Sequence, residues 1–295
     1  MLSAVFDVLR TQRWFDASQP FDSSVHLTQG ACVWLLLSRG GVGHTYVKFS
    51  DRVSLQAEAT RYAAANAHYP ALVPAFIGHV HTGGLDVLAC RAVDFRAVDR
   101  AVLLGAAAGA AQTVQADLAG YFNGLRTASA PAGVSAVRNA DLLAALQRYY
   151  AGHALAPLAQ RWLKTGAALR AAALPDQAQH GDLALNNLGR TLSGRLVIFD
   201  WEDFGAVSLP GLDLFTLELS LAGGARHLLD HRAQRHTGSA RLVARACAAM
   251  QLDGADYGRL TPVYALVFRY LKRNYGPAVR EQMDGLLQDL AASDI

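Results

Sequence analysis

The chain has 295 residues, of which 52% are hydrophobic and 17% charged, and it carries a net charge of +3. That length supports one large core or two modest ones, and that composition excludes a disordered chain. The mild charge comes without any run of basic residues, which excludes a nucleic-acid surface. The longest apolar stretch, 101–111, is about half the length a membrane span needs. Cys32, Cys90 and Cys247 are odd in number and far apart, with no metal-binding CxxC spacing, as in a reducing compartment. Residues 1–15 place Arg10 and Arg13 after the apolar start, which is not a signal-peptide layout. The expectation is a soluble, cytoplasmic protein with no membrane and no nucleic-acid partner; the sequence assigns no oligomeric state.

In chain order, Val25 and Leu27, residues 32–37 and residues 46–49 are short β-prone runs, broken at Gln29-Gly30 and at Gly40-Gly41-Val42-Gly43. Leu55, Ala59 and Tyr62 fall at helical spacing, so 52–68 is predicted to be a helix. Two more β segments follow, 75–81 and 85–90, joined at Thr82-Gly83-Gly84. Past Arg91 the texture changes. Residues 96–123, 138–172 and 211–292 are Ala- and Leu-rich and predict helices, with Ala107-Ala108-Gly109-Ala110-Ala111 as a small-residue helical segment. One β island, 187–200, turns at Gly194-Arg195. The expected organisation is a small β-rich lobe (1–92) and a larger helical lobe (93–295).

The chemistry concentrates in His180-Gly181-Asp182-Leu183-Ala184-Leu185-Asn186-Asn187-Leu188 and in Val197-Ile198-Phe199-Asp200-Trp201-Glu202. An aspartate, an asparagine five positions on and a second aspartate closing an apolar strand form the set that phosphoryl transfer from a nucleotide requires. One carboxylate orients the attacking hydroxyl, and two oxygen ligands hold magnesium. Taken singly, Asp182 and Asn187 are ordinary turn-capping residues; the order and spacing of all three carry the signal. A zinc reading of His180 and Asp182 lacks a third ligand at metal spacing.

These two segments resemble the signature of the aminoglycoside phosphotransferase and choline kinase family, HGDxxxxN followed by a strand ending in Asp, often IDWE. Gly205 and Pro210-Gly211-Leu212-Asp213-Leu214 resemble that family's closing G…DPxxDLA segment. The resemblance implies an α+β, bilobal protein-kinase-like fold, with a small antiparallel-β N-terminal lobe carrying one main helix and a larger, mainly helical C-terminal lobe. It implies that Asp182 is the catalytic base, that Asn187 and Asp200 are magnesium ligands, that His180 braces the loop and that Asp213 is structural. Lys48, one of only three lysines (with Lys164 and Lys272), resembles the kinase strand lysine that contacts nucleotide phosphates, and Glu58 resembles its helix partner. Gly30, in Thr28-Gln29-Gly30-Ala31, is the single glycine available to a phosphate loop, and Arg91 and Val93 flank the expected nucleotide-binding hinge.

Two departures bear on the acceptor. Protein kinases carry a lysine two residues after the catalytic aspartate, where this chain has Ala184, and their usual activation segment is missing. Both favour a small-molecule hydroxyl acceptor over a protein. The implied activity is an ATP- (or GTP-) and magnesium-dependent phosphotransferase. The alternative is a nucleotide-binding pseudokinase or regulatory protein, suggested by the thin glycine loop. Arg269, Lys272 and Arg273, among Phe268, Tyr270 and Tyr275, are expected to form a solvated helix face, the alternative being contact with an anionic or neutral polyol.

Overall fold

The structure, a computed structural model, describes residues 1–16, 18–27, 32–105, 110–234, 237–274 and 276–292. It is mixed α+β, with an antiparallel five-stranded sheet and helix in the N-terminal part and a mostly helical C-terminal part. The chain divides into two compact units, one of residues 1–96 with 189–202 and the other of 97–188 with 203–295.

In the first unit, helix α1 (Leu2–Thr11) is followed by β1 (Asp22–Leu27), β2 (Val33–Arg39), β3 (Val42–Ser50), α2 (Gln56–His68), β4 (Phe76–Thr82) and β5 (Leu85–Arg91). The sheet order is β1-β2-β3-β5-β4, antiparallel throughout. Gly40 and Gly41, with φ of 54° and 79°, close the β2–β3 hairpin; two successive left-handed residues match the twist of the strands they join. Alternation sorts the side chains. Leu35, Leu37, Val47 and Phe49 bury one face against Val5, Val8 and Leu9 of α1. That helix follows from the i, i+3, i+4 spacing of its three buried residues, a pattern within the stretch read above only for a signal peptide. On the opposite face Trp34 pairs with Lys48 and Lys48 with Leu88, and Leu55, just before α2, and Ala59 of α2 pack on Leu88. Each such buried aliphatic side chain contributes roughly 1.5–3 kcal/mol. This packing brings Glu58, next to Ala59, over the lysine.

A second, three-stranded sheet has the order β6-β7-β8, from β6 (Phe95–Ala97), β7 (Leu188–Thr191) and β8 (Leu196–Ile198). The expected helix at 96 therefore begins later. Phe95 packs on Phe199 at 4.4 Å, and Gly189 lets the ring in, since a Cβ there would meet Phe95 at 2.6 Å.

The second unit contains the helices Ala110–Gly124, Asn139–Tyr150, Leu212–Ala222, Thr237–Met250, Thr261–Leu271 and Pro277–Ala292, with shorter ones between them. Leu212–Ala222 is buried on nearly every side, as an apolar helix must be, yet it carries Asp213 and Glu218 in that interior. Of the segment 107–111, residues 107–109 lie outside the described residues, and Ala110 and Ala111 open the Ala110–Gly124 helix. Among the described residues, no helix is long and apolar enough to cross a membrane, and the three cysteines form no disulfide.

Candidate active site

The loop that carries Asp182 is held from one side by a single helix. Asp213, fully buried, accepts the His180 N–H at 2.7 Å and the Tyr121 hydroxyl at 2.5 Å on Oδ2, and the Gly181 N–H at 2.8 Å on Oδ1. Burial drives its carboxyl above the usual range, against the pull of His180 and of these donors. One turn on, the Thr216 hydroxyl donates to the Leu183 carbonyl at 3.3 Å, and one turn further the Ser220 hydroxyl accepts the Leu185 N–H at 2.9 Å. Positions 213, 216 and 220 share one helical face, so an otherwise apolar helix presents a polar stripe to the loop. Thr216 and Ser220 were not singled out from the sequence, although two hydroxyls at that spacing from Asp213 were a readable signal.

Within the loop, His180 is fully buried, and its Nδ1 accepts the Asp182 N–H at 3.2 Å. Asn187 ends a 3₁₀ turn (Leu185–Asn187) and is 6% exposed; its Nδ2 donates to the Asp182 carbonyl at 2.9 Å and its Oδ1 accepts from Asn186 at 3.2 Å. Gly181 has a φ of +91°, and a Cβ there would lie 2.8 Å from the Asp203 Cβ. Both the backbone and the close approach require glycine. The carboxylates of Asp182 and Asp203 then share one ammonium, with Lys272 Nζ 2.9 Å from Asp182 Oδ2 and 3.1 Å from Asp203 Oδ2. Lys272 is 2% exposed and Arg269 is 4% exposed, the latter bound to Asp284 at 2.6 Å. The expected solvated face is thus overturned at two of its three cations, because each found a carboxylate that the sequence placed elsewhere. Arg273 alone is exposed, in the 3₁₀ turn Lys272–Asn274 that follows the helix, and Tyr275 lies outside the described residues.

In the first unit, Lys48 Nζ donates to Glu58 Oε2 at 2.7 Å and to Glu202 Oε2 at 3.3 Å, and it sits 5.1 Å from the Trp34 ring. Burial works against the charge on Lys48, but Glu58 and Glu202 outweigh it and hold the ammonium more basic than usual. Burial likewise raises the Glu58 carboxyl, with Lys48 opposing. Arg61, one turn after Glu58 on α2, donates to the Glu202 carbonyl at 3.0 Å. Trp201 is buried, donates to the Ile198 carbonyl at 2.7 Å and stacks on Tyr69. Between these fixed points Asp200 takes a φ of +62°, a left-handed conformation uncommon outside glycine. Its charge reaches both Glu58 and Tyr46. Tyr46 stacks on Trp34 at 4.2 Å, and burial pushes its phenol up to about 12.

Of the sequence candidates, Lys48, Glu58 and Asp200 therefore gather in the first unit, and His180, Asp182, Asn187 and Asp213 in the second. Arg91 ends β5 exposed, 3.4 Å from His44, and Val93 follows in half-buried coil. Gly30, with Thr28, Gln29 and Ala31, lies outside the described residues. Glu202, Asp203 and the role of Lys272 were not read from the sequence.

No protein-family model and no curated protein sequence matches the chain. Solved structures do. A thermostable mutant of the aminoglycoside phosphotransferase APH(4)-Ia, in a ternary complex with ADP and hygromycin B, matches with a TM-score of 0.55 at 13% identity, over 96% of this chain and 97% of its own. The macrolide 2'-phosphotransferase MphH from Brachybacterium faecium matches with a TM-score of 0.59 at 14% identity, over 96% and 97%. The choline kinase LicA from Streptococcus pneumoniae matches with a TM-score of 0.56 at 10% identity, over 99% of each chain. The fold is protein-kinase-like. At these identities the likeness concerns the fold, and the chemistry has to be argued from the residues.

Proposed function

We propose that the protein is an ATP- and magnesium-dependent phosphotransferase that acts on a hydroxyl of a small molecule in the cytoplasm. The observation that carries the reading is the loop His180–Asn187, whose shape is fixed at Asp213, Thr216 and Ser220 so that the Asp182 carboxylate is held on a rigid support. In this reading Asp182 accepts a hydrogen bond from the acceptor hydroxyl, orients it in line with the phosphoryl group and takes its proton late, because the transition state is loose and positioning dominates. Lys48, held by Glu58 and Glu202, neutralises nucleotide phosphates.

The oxygens of Asn187 and Asp200 suit magnesium, which prefers a few protein oxygens and completes its shell with phosphate and water. Among the described residues no cluster of three or more His, Cys, Asp or Glu could hold a metal by itself, and a phosphate-borne ion needs none. Magnesium, when bound with nucleotide, supplies charge neutralisation at the phosphate oxygens. The left-handed backbone at Asp200 supports a functional placement, since such strain persists where the surroundings impose it.

The deciding experiment measures magnesium-dependent ATP turnover, with water and then with a panel of aminoglycosides, amino alcohols, sugars and hydroxy amino acids as acceptors. Turnover by the wild type, lost in Asp182→Ala with ATP binding retained, is the expected result. A wild type that binds ATP without turning it over identifies the pseudokinase alternative.

A further inference from the structure

We propose that Lys272 is the positioning residue of Asp182, an amine delivered by the turn after the Thr261–Leu271 helix to a loop that has none of its own. The inference rests on the phosphotransferase reading and goes beyond it, because nothing in the motif pattern assigns this lysine a role.

Three observations lead to it. First, the Lys272 side chain is 2% exposed, whereas the Asp182 and Asp203 side chains it binds are each 21% exposed. The lysine is thus the buried member of the trio, and the two aspartates are its solvent-reaching members. Second, burying an ammonium costs several kcal/mol, and a buried ion pair is often no better for stability than an apolar side chain of the same volume. Stability alone is a poor reason for a lysine here, particularly in a chain with only two others. Third, Gly181 lets Asp203 come against the loop, so two like charges are drawn to one place. A cation between them offsets the repulsion of the two like charges. Lys272 binds the Oδ2 atom of both and fixes the rotamer of Asp182.

The test compares wild type, Lys272→Ala, Lys272→Met and Lys272→Arg for magnesium–ATP turnover with water as acceptor, for ATP affinity by calorimetry and for thermal midpoint. Lys272→Met is expected to lose about 100-fold in kcat, the scale of removing one preorganised charge-stabilising donor, with ATP affinity changed less than about threefold. Propylammonium should raise the thermal midpoint of Lys272→Ala and restore part of its kcat saturably, with neither effect on Lys272→Met. Introducing Ala184→Lys into Lys272→Met should also recover rate, by supplying the amine from the loop. Lys272→Arg, which keeps the cation, covers the case in which the neutral variants do not fold, and it should retain more than about a tenth of the wild-type kcat. Undiminished or faster turnover in Lys272→Met, or propylammonium that stabilises Lys272→Ala without restoring rate, overturns the proposal while the phosphotransferase reading stands. A wild type with no turnover removes that reading and this proposal together.

Discussion

Lys48 and Glu202, 154 positions apart in sequence, lie 3.3 Å apart in space, so the strand lysine has two carboxylate partners. The contacts are unequal. Glu58 is nearer, at 2.7 Å, and its side chain is 15% exposed against 35% for Glu202. A hydrogen bond to a charged group contributes about 1.5–3 kcal/mol when well desolvated. Glu58→Gln should therefore lower kcat/KM for ATP by roughly ten- to a hundredfold, and Glu202→Gln by less. Steady-state kinetics on the two variants checks the order; a larger loss at Glu202 would make it the principal partner.

The polar stripe on Leu212–Ala222 predicts a graded loss of stability. Asp213→Ala removes the acceptor of the Gly181 N–H and the Tyr121 hydroxyl and leaves the His180 N–H only its 3.3 Å contact with that hydroxyl. It should cost at least about 3 kcal/mol, whereas Ser220→Ala, losing one neutral bond, and Thr216→Val, losing one hydroxyl shared between the Leu183 and Asp213 carbonyls, should each cost about 1 kcal/mol. Urea unfolding of the three variants measures the series.

Gly181→Ala should destabilise the protein by more than about 1–2 kcal/mol, the cost of a left-handed backbone alone, because the new methyl also meets the Asp203 Cβ at 2.8 Å and its carbonyl at 3.2 Å. Chemical denaturation gives the number, and turnover should fall with it as Asp203 is pushed off Lys272.

Asp86 sets an acid limit in the first unit. Burial raises its carboxyl, but hydrogen bonds from His79 at 2.5 Å and His81 at 2.8 Å, with the Leu55 amide, outweigh that and leave it below the ordinary value. A carboxylate depressed in the fold stabilises it fully above its unfolded value of about 3.9 and loses that contribution as pH falls below it. Wild type should thus lose stability more steeply than Asp86→Asn as pH falls from about 4.5 toward 3. Thermal midpoints across that window report the slopes; equal slopes would show that another group governs the acid side.

Local patterns made the five strands of the main sheet, α2 and the loop His180–Asn187 legible, since alternation, paired glycines and motif spacing are all written in contiguous residues. What escaped notice was long-range pairing. Glu202 and Asp203 stand beside Asp200 in sequence yet serve different lysines, one on β3 and one past the Thr261–Leu271 helix. Arg269 and Lys272 lie in a segment whose basic and aromatic residues read as a water-facing surface, and only the fold supplies Asp284, Asp182 and Asp203 to neutralise them. Helix α1 was readable from Val5, Val8 and Leu9. Phe95–Ala97 was not, because three residues are too few to show a period.

Lysine is also scarce in a useful way. Lys48 is 7% exposed and Lys272 is 2% exposed, while Lys164 is exposed on the second unit. Coupling through lysine amines, to a sensor surface or a fluorophore, will therefore run through Lys164 and spare both buried ammonium groups. Immobilised in that way, the protein can be screened for its acceptor by direct binding without altering the residues that the screen is meant to probe.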